Sequence, residues 1–267
     1  MSYKGELLMD KKTIVEVKNI GMTYHTFNGE TEALRNIDFS VYEGEIVSIV
    51  GPSGCGKSTL LSIIAGLIKP SAGEVLVNGN KVTGPTEDIG YMFQRDHLFE
   101  WRTILQNVLL GLEIRGKVEE QSVKTAEKLL EIYGLGDFKN NYPRQLSGGM
   151  RQRAALIRTL IVEPNLLLLD EPFSALDYQT RLAISDEIGI ILKKEKKTAL
   201  LVTHDIAEAI SLSDRIIVLT NRPANIKDII KIELTCPGGV WSPIKCREAP
   251  EFRHYFNKIW KELDVHV

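Results

Sequence analysis

Hydrophobic spacing divides the chain into segments of different kinds. From residue 13 apolar positions alternate with polar ones, at Val15 and Val17 and again at Ile37, Phe39 and Val41. This period of two predicts half-buried antiparallel strands, with turns at Gly29 and Gly44. Ile46 to Val50 is a short apolar strand that runs into glycines and then into the helix-like LLSIIAGLI, closed by Pro70.

Between Gln94 and Ser147 the period lengthens. Val123, Ala126, Leu130 and Tyr133 recur at helical spacing and stop at Gly134, which predicts a mostly helical insert. Leu166 to Leu169 and Ala199 to Val202 are then continuously apolar, as strands buried on both faces are, and a helix-like segment from Asp177 to Lys194 separates them. A last unit comprises Arg215 to Leu219, alternating Ile230, Ile232 and Leu234, and a loop with Pro237, Gly238 and Gly239. It ends in a Pro250-initiated helix carrying Phe252, Phe256, Ile259, Trp260 and Leu263 on one side. There is no internal repeat and no low-complexity segment. The pattern predicts one α/β domain with an insert, and 267 residues suffice for its core.

Charge narrows the function classes. With 33 basic and 35 acidic residues, the whole-molecule field offers no strong attraction to nucleic acid or anionic lipid, so any anion specificity is local. The run Lys193 to Lys197 reads as the solvated end of a helix rather than a basic patch. No apolar run approaches the ~20 residues that cross a bilayer, and the start, MSYKGELLMDKK, lacks the apolar stretch of a secretory signal. A cytosolic protein is the expectation. The three cysteines, at 55, 236 and 246, form no CxxC pair, so neither a disulfide framework nor a zinc site is expected and Cys236 and Cys246 read as incidental thiols.

The chemistry begins at Gly51-Pro52-Ser53-Gly54-Cys55-Gly56-Lys57-Ser58-Thr59, a phosphate-loop motif between a strand and a helix. Its glycines let backbone N–H groups converge on phosphate oxygens, and the helix N-terminus adds positive partial charge. Lys57 is placed to reach the β and γ phosphates and Ser58 to ligate Mg²⁺. Asp170 closes the apolar run of Leu166 to Leu169, where ligands sit in open α/β sheets, and is a second Mg²⁺ ligand, through water. Glu171 follows as the group that polarises the attacking water. His204, at the end of the next strand, is a donor for a γ-phosphate oxygen.

Leu146-Ser147-Gly148-Gly149-Met150 opens another helix, with Ser147 as its cap and the glycines leaving N–H groups open to an anion. This is a second phosphate site on a chain that already has one. LSGGMRQR shortly before the Asp-Glu strand, with Gln94 and His204 in their places, resembles the ATPase subunits of ATP-binding cassette (ABC) transporters over residues 13 to 222.

The resemblance implies a P-loop NTPase core with a parallel sheet, an N-terminal antiparallel β subdomain and an inserted α-helical subdomain at about 95–147. An N-terminal tail at 1–12 and a C-terminal strand and helix at 223–267 flank it. It implies ATP and Mg²⁺ as cofactors, Tyr24 stacked on adenine, and Gln94 linking Mg²⁺ to the insert. It also implies Asp177 of Ser-Ala-Leu-Asp in a subunit contact, and a head-to-tail homodimer in which Ser147, Gly148 and Gly149 meet ATP bound to the partner. Met150 stands where the family usually has Gln; the serine and glycine donors remain, and binding is expected to survive.

Partners implied are integral-membrane permease subunits and, indirectly, an extracytoplasmic solute-binding protein, with no nucleic acid. The late Arg222-Pro223, the Ile230 strand and the aromatic C-terminal helix resemble importer ATPases for nitrate, sulfonates and taurine, and riboflavin and thiamine-precursor importers are similar too, although Thr235 to Pro243 replaces the usual Pro-Arg-rich stretch. Leu98, Phe99 and Trp101 among polar residues read as a groove for a permease helix, or else as filling of the insert's own core. A soluble cassette ATPase acting on nucleic acid or ribosomes would share every ATP motif.

Overall fold

The computed structural model describes residues 12–26, 29–174, 176–239 and 241–263. The expected N-terminal tail lies outside them but for Lys12, as does Ala175 of the Ser-Ala-Leu-Asp segment.

Two long strands, β1 (Thr13–Thr26) and β2 (Gly29–Tyr42), pair antiparallel, and β4 (Ala72–Val77) and β5 (Asn80–Lys81) complete a four-stranded sheet in the order β2-β1-β4-β5. Alternation puts Val15, Val17, Ile37, Phe39 and Val41 on its buried face, as their spacing predicts. β4 and β5 were not foreseen; the Glu74-Val75-Leu76-Val77 alternation before Gly79 carries their signal.

The second sheet has six strands in the order β10-β9-β3-β8-β7-β6. Its members are β3 (Ile46–Val50), β6 (Ile89–Met92), β7 (Leu166–Asp170), β8 (Thr198–Val202), β9 (Arg215–Leu219) and β10 (Ile226–Lys231). All neighbours run parallel except β10, antiparallel to β9. β3, β7 and β8 are buried at every residue, which is why their apolar runs do not alternate. β10 stops at Lys231, so Ile232 and Leu234 extend past the strand and pack beneath the C-terminal helix.

Helix α1 (Lys57–Ile64) follows β3 and ends well before Pro70, because Gly66 turns the chain at φ +73°. The segment expected as the insert, about 95–147, holds α2 (Ile104–Ile114) and α3 (Glu120–Ile132), and α4 (Gly148–Leu160), which follows it, packs on both. Thr103 and Gln106 form a reciprocal capping box that starts α2. The remaining helices are α5 (Tyr178–Lys194), α6 (Ile206–Leu212), α7 (Pro243–Cys246) and α8 (Phe252–Glu262). Ile259 of α8 is fully buried against Ile230, Ile232 and α6.

Glu45 and Arg215 tie the two sheets together. Arg215 donates to Glu45 through Nε (2.6 Å) and a terminal nitrogen (2.9 Å), and to the Ser40 carbonyl of β2 (2.6 Å).

The cysteine expectation is corrected. Cys236 and Cys246 are joined by a disulfide, with Cα atoms 4.5 Å apart. Counting CxxC spacings misses such a pair, because the turn after Leu234 and helix α7 bring together residues that spacing alone leaves apart.

Candidate nucleotide site

The phosphate loop is shaped by glycine where no other residue fits. Gly56 caps α1 at φ +123°, and a Cβ there would lie 2.8 Å from Leu34 Cδ2. The Gly54 carbonyl accepts a hydrogen bond from Arg222 (3.0 Å), which anchors the loop's tip to the chain beyond β9. Nothing in the sequence motif points to Arg222.

Lys57 is buried and its ammonium donates to the carbonyls of Gly51 (2.8 Å) and Pro52 (3.0 Å), so it spans the loop from within. Cys55 turns its side chain into the core, where burial pushes its thiol pKa up; it offers the loop backbone only. Ser53 and Ser58 are exposed. Tyr24 reaches the same helix from β1, its hydroxyl 3.2 Å from Thr59 Oγ1.

Across the loop stands the end of β7. Ser58 Oγ donates to Asp170 Oδ1 (3.1 Å). Burial raises the Asp170 carboxyl pKa, and the Ser58 bond partly offsets that rise. The Tyr91 phenol of β6, itself pushed up to about 12 by burial, lies against the same carboxylate. Tyr91 is a site residue the motifs do not reveal.

Glu171 sits at φ +48°, in the left-handed region that a branched-free, non-glycine side chain seldom occupies. Its N–H donates to the Val202 carbonyl (2.9 Å), fixing it between the ends of β7 and β8. Gln94 Nε2 donates to its Oε2 (2.9 Å), and His204 Nδ1 lies 3.5 Å from Oε1. Ser53, Gly54, Gly56 to Thr59, Gln94, Glu171 and His204 line one cavity of about 590 Å³.

The donor set suits the cofactors expected of it. Ser58 and Asp170 bring two hard oxygen donors together, the donor type that Mg²⁺ takes, and the glycine-rich loop with Lys57 suits a polyphosphate.

Ser147 caps α4, its Oγ accepting from Met150 N–H (3.3 Å). Gly149 packs so close to Leu176 that a Cβ would approach Leu176 Cδ2 to 2.7 Å. Gly148 lines a separate cavity of about 340 Å³ with Gln94, Asp96 and Arg151. The signature segment is thus not among the residues lining the phosphate cavity of its own chain, although Arg151 and Arg158 tie α4 to Asp96 and His97, just beyond Gln94. Asp177 caps α5, accepting from Thr180 N–H (3.1 Å).

Of the apolar cluster after Gln94, Leu98 is buried in the insert's core, whereas Phe99 and Trp101 stack 4.9 Å apart on the surface, Trp101 72% exposed. Leu98 thus fills the insert's own core, while Phe99 and Trp101 are left on the surface.

A parallel sheet with a phosphate loop at the carboxyl end of one strand and acidic residues at the end of another defines a P-loop nucleotide hydrolase. The ABC transporter family model matches residues 34–174. The uncharacterised ABC transporter ATP-binding protein YtlC of Bacillus subtilis is 48% identical, covering 94% of this chain and 96% of YtlC. The nitrate import ATP-binding protein NrtD of Synechocystis is 41% identical, covering 92% and 93% of the two chains. The aliphatic sulfonates import ATP-binding protein SsuB of Bacillus cereus is 40% identical, covering 94% and 96%. Among solved structures, the dimeric post-hydrolysis state of the ATP-binding cassette MJ0796 bound to ADP and Pi superposes with a TM-score of 0.75 at 36% identity, covering 82% of this chain and 99% of that one. The chain belongs to the ABC transporter family, as an ATP-binding cassette subunit.

Among the described residues, no helix is long and apolar enough to cross a membrane.

Proposed function

We propose that this chain hydrolyses ATP as one half of a head-to-tail homodimer on the cytoplasmic face of the cell membrane, and so powers separate permease subunits. The observation that carries the dimer is the division of phosphate-binding groups within one chain. The loop lines the cavity of about 590 Å³, while Ser147, Gly148 and Gly149 open a different helix and do not line it. A second copy, turned end for end, supplies the missing donors.

In that arrangement Tyr24 stacks on adenine, the backbone of Gly51 to Thr59 holds the phosphates, and Lys57 swings from its loop carbonyls toward the β and γ oxygens. Ser58, Asp170 and Gln94 would hold Mg²⁺, which would supply positive charge to the phosphates. Glu171 accepts a hydrogen bond from the attacking water and sets it in line, and His204 donates to a γ-phosphate oxygen. The partner subunit's Ser147, Gly148 and Gly149 complete the anion shell. ATP binds the closed pair better than the open one, so binding closes the dimer and hydrolysis releases it.

Phe99 and Trp101, stacked and exposed beside the Gln94 loop, form the seat for a permease helix, which places the transport coupling next to Mg²⁺ and Glu171. The cargo is a small solute of the nitrate, sulfonate or taurine kind, delivered by an extracytoplasmic binding protein. Similarity to the nitrate and sulfonate import proteins supports that class.

The test is size-exclusion chromatography of Glu171→Gln protein with and without ATP. ATP-dependent dimers are expected, and a monomer at saturating ATP overturns the shared site. Affinity purification from gently solubilised native membranes then addresses coupling: a multi-span permease should be recovered, whereas ribosomal or DNA-bound partners alone would replace transport with a soluble role.

A further inference from the structure

The loop that carries Gln94 is fastened to the helix that opens with Ser147, Gly148 and Gly149. Asp96 Oδ2 accepts from Arg151 Nε (3.0 Å), in the first turn of α4, and Asp96 Oδ1 accepts from Leu98 N–H (3.1 Å). Two turns further along the same helix, Arg158 donates to the carbonyls of Asp96 (2.6 Å) and His97 (2.7 Å). The loop is thereby held along about 10 Å of one face of α4. Arg151 also donates to the Leu146 carbonyl (2.9 Å), just ahead of the Ser147 cap.

This loop has little slack. His97 stands at φ +45°, and Leu98 is buried in the insert's core. The side chains of Arg151 and Asp96 are 34% and 28% exposed, so their attraction is less screened than that of a surface pair. At one end of the fastened unit lie the groups that open α4. At the other, Gln94 Nε2 donates to Glu171 Oε2 (2.9 Å), and Glu171 is anchored to the sheet by its N–H on the Val202 carbonyl. Any displacement of α4 relative to the sheet is therefore felt at the contact between Gln94 and Glu171.

We infer that Asp96 is a positioning residue that makes the contact of Gln94 with Glu171 depend on the engagement of α4 by ATP bound to the partner subunit. The inference rests on the dimer reading above and names the route by which its two sites sense each other. With the partner's site filled, its nucleotide pins the N-terminus of α4. Arg151 and Arg158 then hold Asp96 and the loop still, and Gln94 stays on Glu171. With that site empty, α4 and Gln94 shift together against the sheet, and the carboxylate assigned to the attacking water loses its support. Each site thus turns over fastest when the other is occupied.

Asp96→Asn tests this, because it keeps the acceptor for Leu98 N–H and the side chain's shape while removing the charge that holds Arg151. Two sites cap the Hill coefficient for ATP at 2; the wild type should exceed about 1.5, and Asp96→Asn should fall to near 1. Its kcat should drop roughly three- to tenfold, with nucleotide affinity unchanged. Arg151→Met should match it, the double variant should be no worse than either single one, and Arg151→Lys should recover part of the cooperativity. Amide hydrogen exchange reads the same link without turnover, in Glu171→Gln protein. ATP should slow exchange at 147–151 and at 95–98, and adding Asp96→Asn should weaken the slowing at 95–98 while leaving that at 147–151. A non-cooperative wild type, additive losses in the double variant, or slowing at 95–98 unchanged by Asp96→Asn overturns the coupling. No ATP-induced slowing at 147–151 in any variant overturns the dimer reading, and the coupling with it.

Discussion

Gln94 Nε2 donates to Glu171 Oε2 over 2.9 Å, so the residue at the mouth of the helical insert holds the carboxylate assigned to the attacking water. Glu171 is held besides by its own N–H on Val202 and is strained at φ +48°, so its position is over-determined. Replacing it by Gln keeps the size and the Gln94 contact but removes the acceptor charge. Glu171→Gln should lower kcat by about 10²- to 10³-fold while ATP affinity stays within a few-fold. Phosphate-release assays beside nucleotide-binding titrations read the split; unchanged kcat would remove Glu171 from the chemistry.

Gly56→Ala should abolish nucleotide binding and destabilise the fold by about 1–3 kcal/mol. The new methyl would stand 2.8 Å from Leu34 Cδ2 on a backbone at φ +123°, and both faults displace the loop. Thermal melts and ATP titration check this, with Ser53→Ala, an exposed loop position, as the control for stability.

The motifs were legible because each is local. A phosphate loop, an Asp-Glu pair at a strand end and a capped glycine pair declare themselves in a few consecutive residues, and their flanking strands are buried on both faces and so lack ambiguity. β4, β5 and β6 escaped notice because they are short, with apolar positions too few to set a period, and both residues of β5 are exposed. Tyr91, Arg222 and the charges around Glu208 are read only once the sheet order is known, since each acts on a residue from another segment. The disulfide belongs with them: its cysteines, ten residues apart in sequence, meet across a turn and the short helix α7.

Trp101→Ala should leave the isolated subunit's ATPase unchanged but weaken capture of the permease. Its ring is 72% exposed and stacked on Phe99, outside the phosphate cavity, so little folding energy depends on it. An aromatic anchor at an interface centre is worth about 2 kcal/mol, or roughly 30-fold in affinity. Quantitative co-purification from membranes measures it, and full recovery of permease would place the seat elsewhere.

Glu45→Ala should destabilise the protein by about 1–3 kcal/mol, because it leaves the half-buried Arg215 guanidinium without its carboxylate. Arg215 also holds the Ser40 carbonyl, so the loss reaches the contact between the two sheets. Urea denaturation checks the magnitude, and a change under 1 kcal/mol would show that water replaces the pair at no cost.

Glu208 gives the fold a pH dependence of defined sign. Burial first, and Asp205 next, push its pKa up from 4.5 to about 8, against the opposing effects of a Thr203 hydrogen bond and then of Arg181 and Arg247. The folded state therefore holds this proton more tightly than the unfolded chain. The stability it contributes is complete below about 4.5, falls as pH rises and is gone above about 8. Glu208→Gln removes that titration and keeps the shape. Melting temperatures of the two proteins, measured from pH 5 to pH 9, should show the wild type losing ground steadily up to about pH 8 and no further above it. Parallel curves would mean that Arg181 and Arg247 keep Glu208 ionised in the folded state throughout.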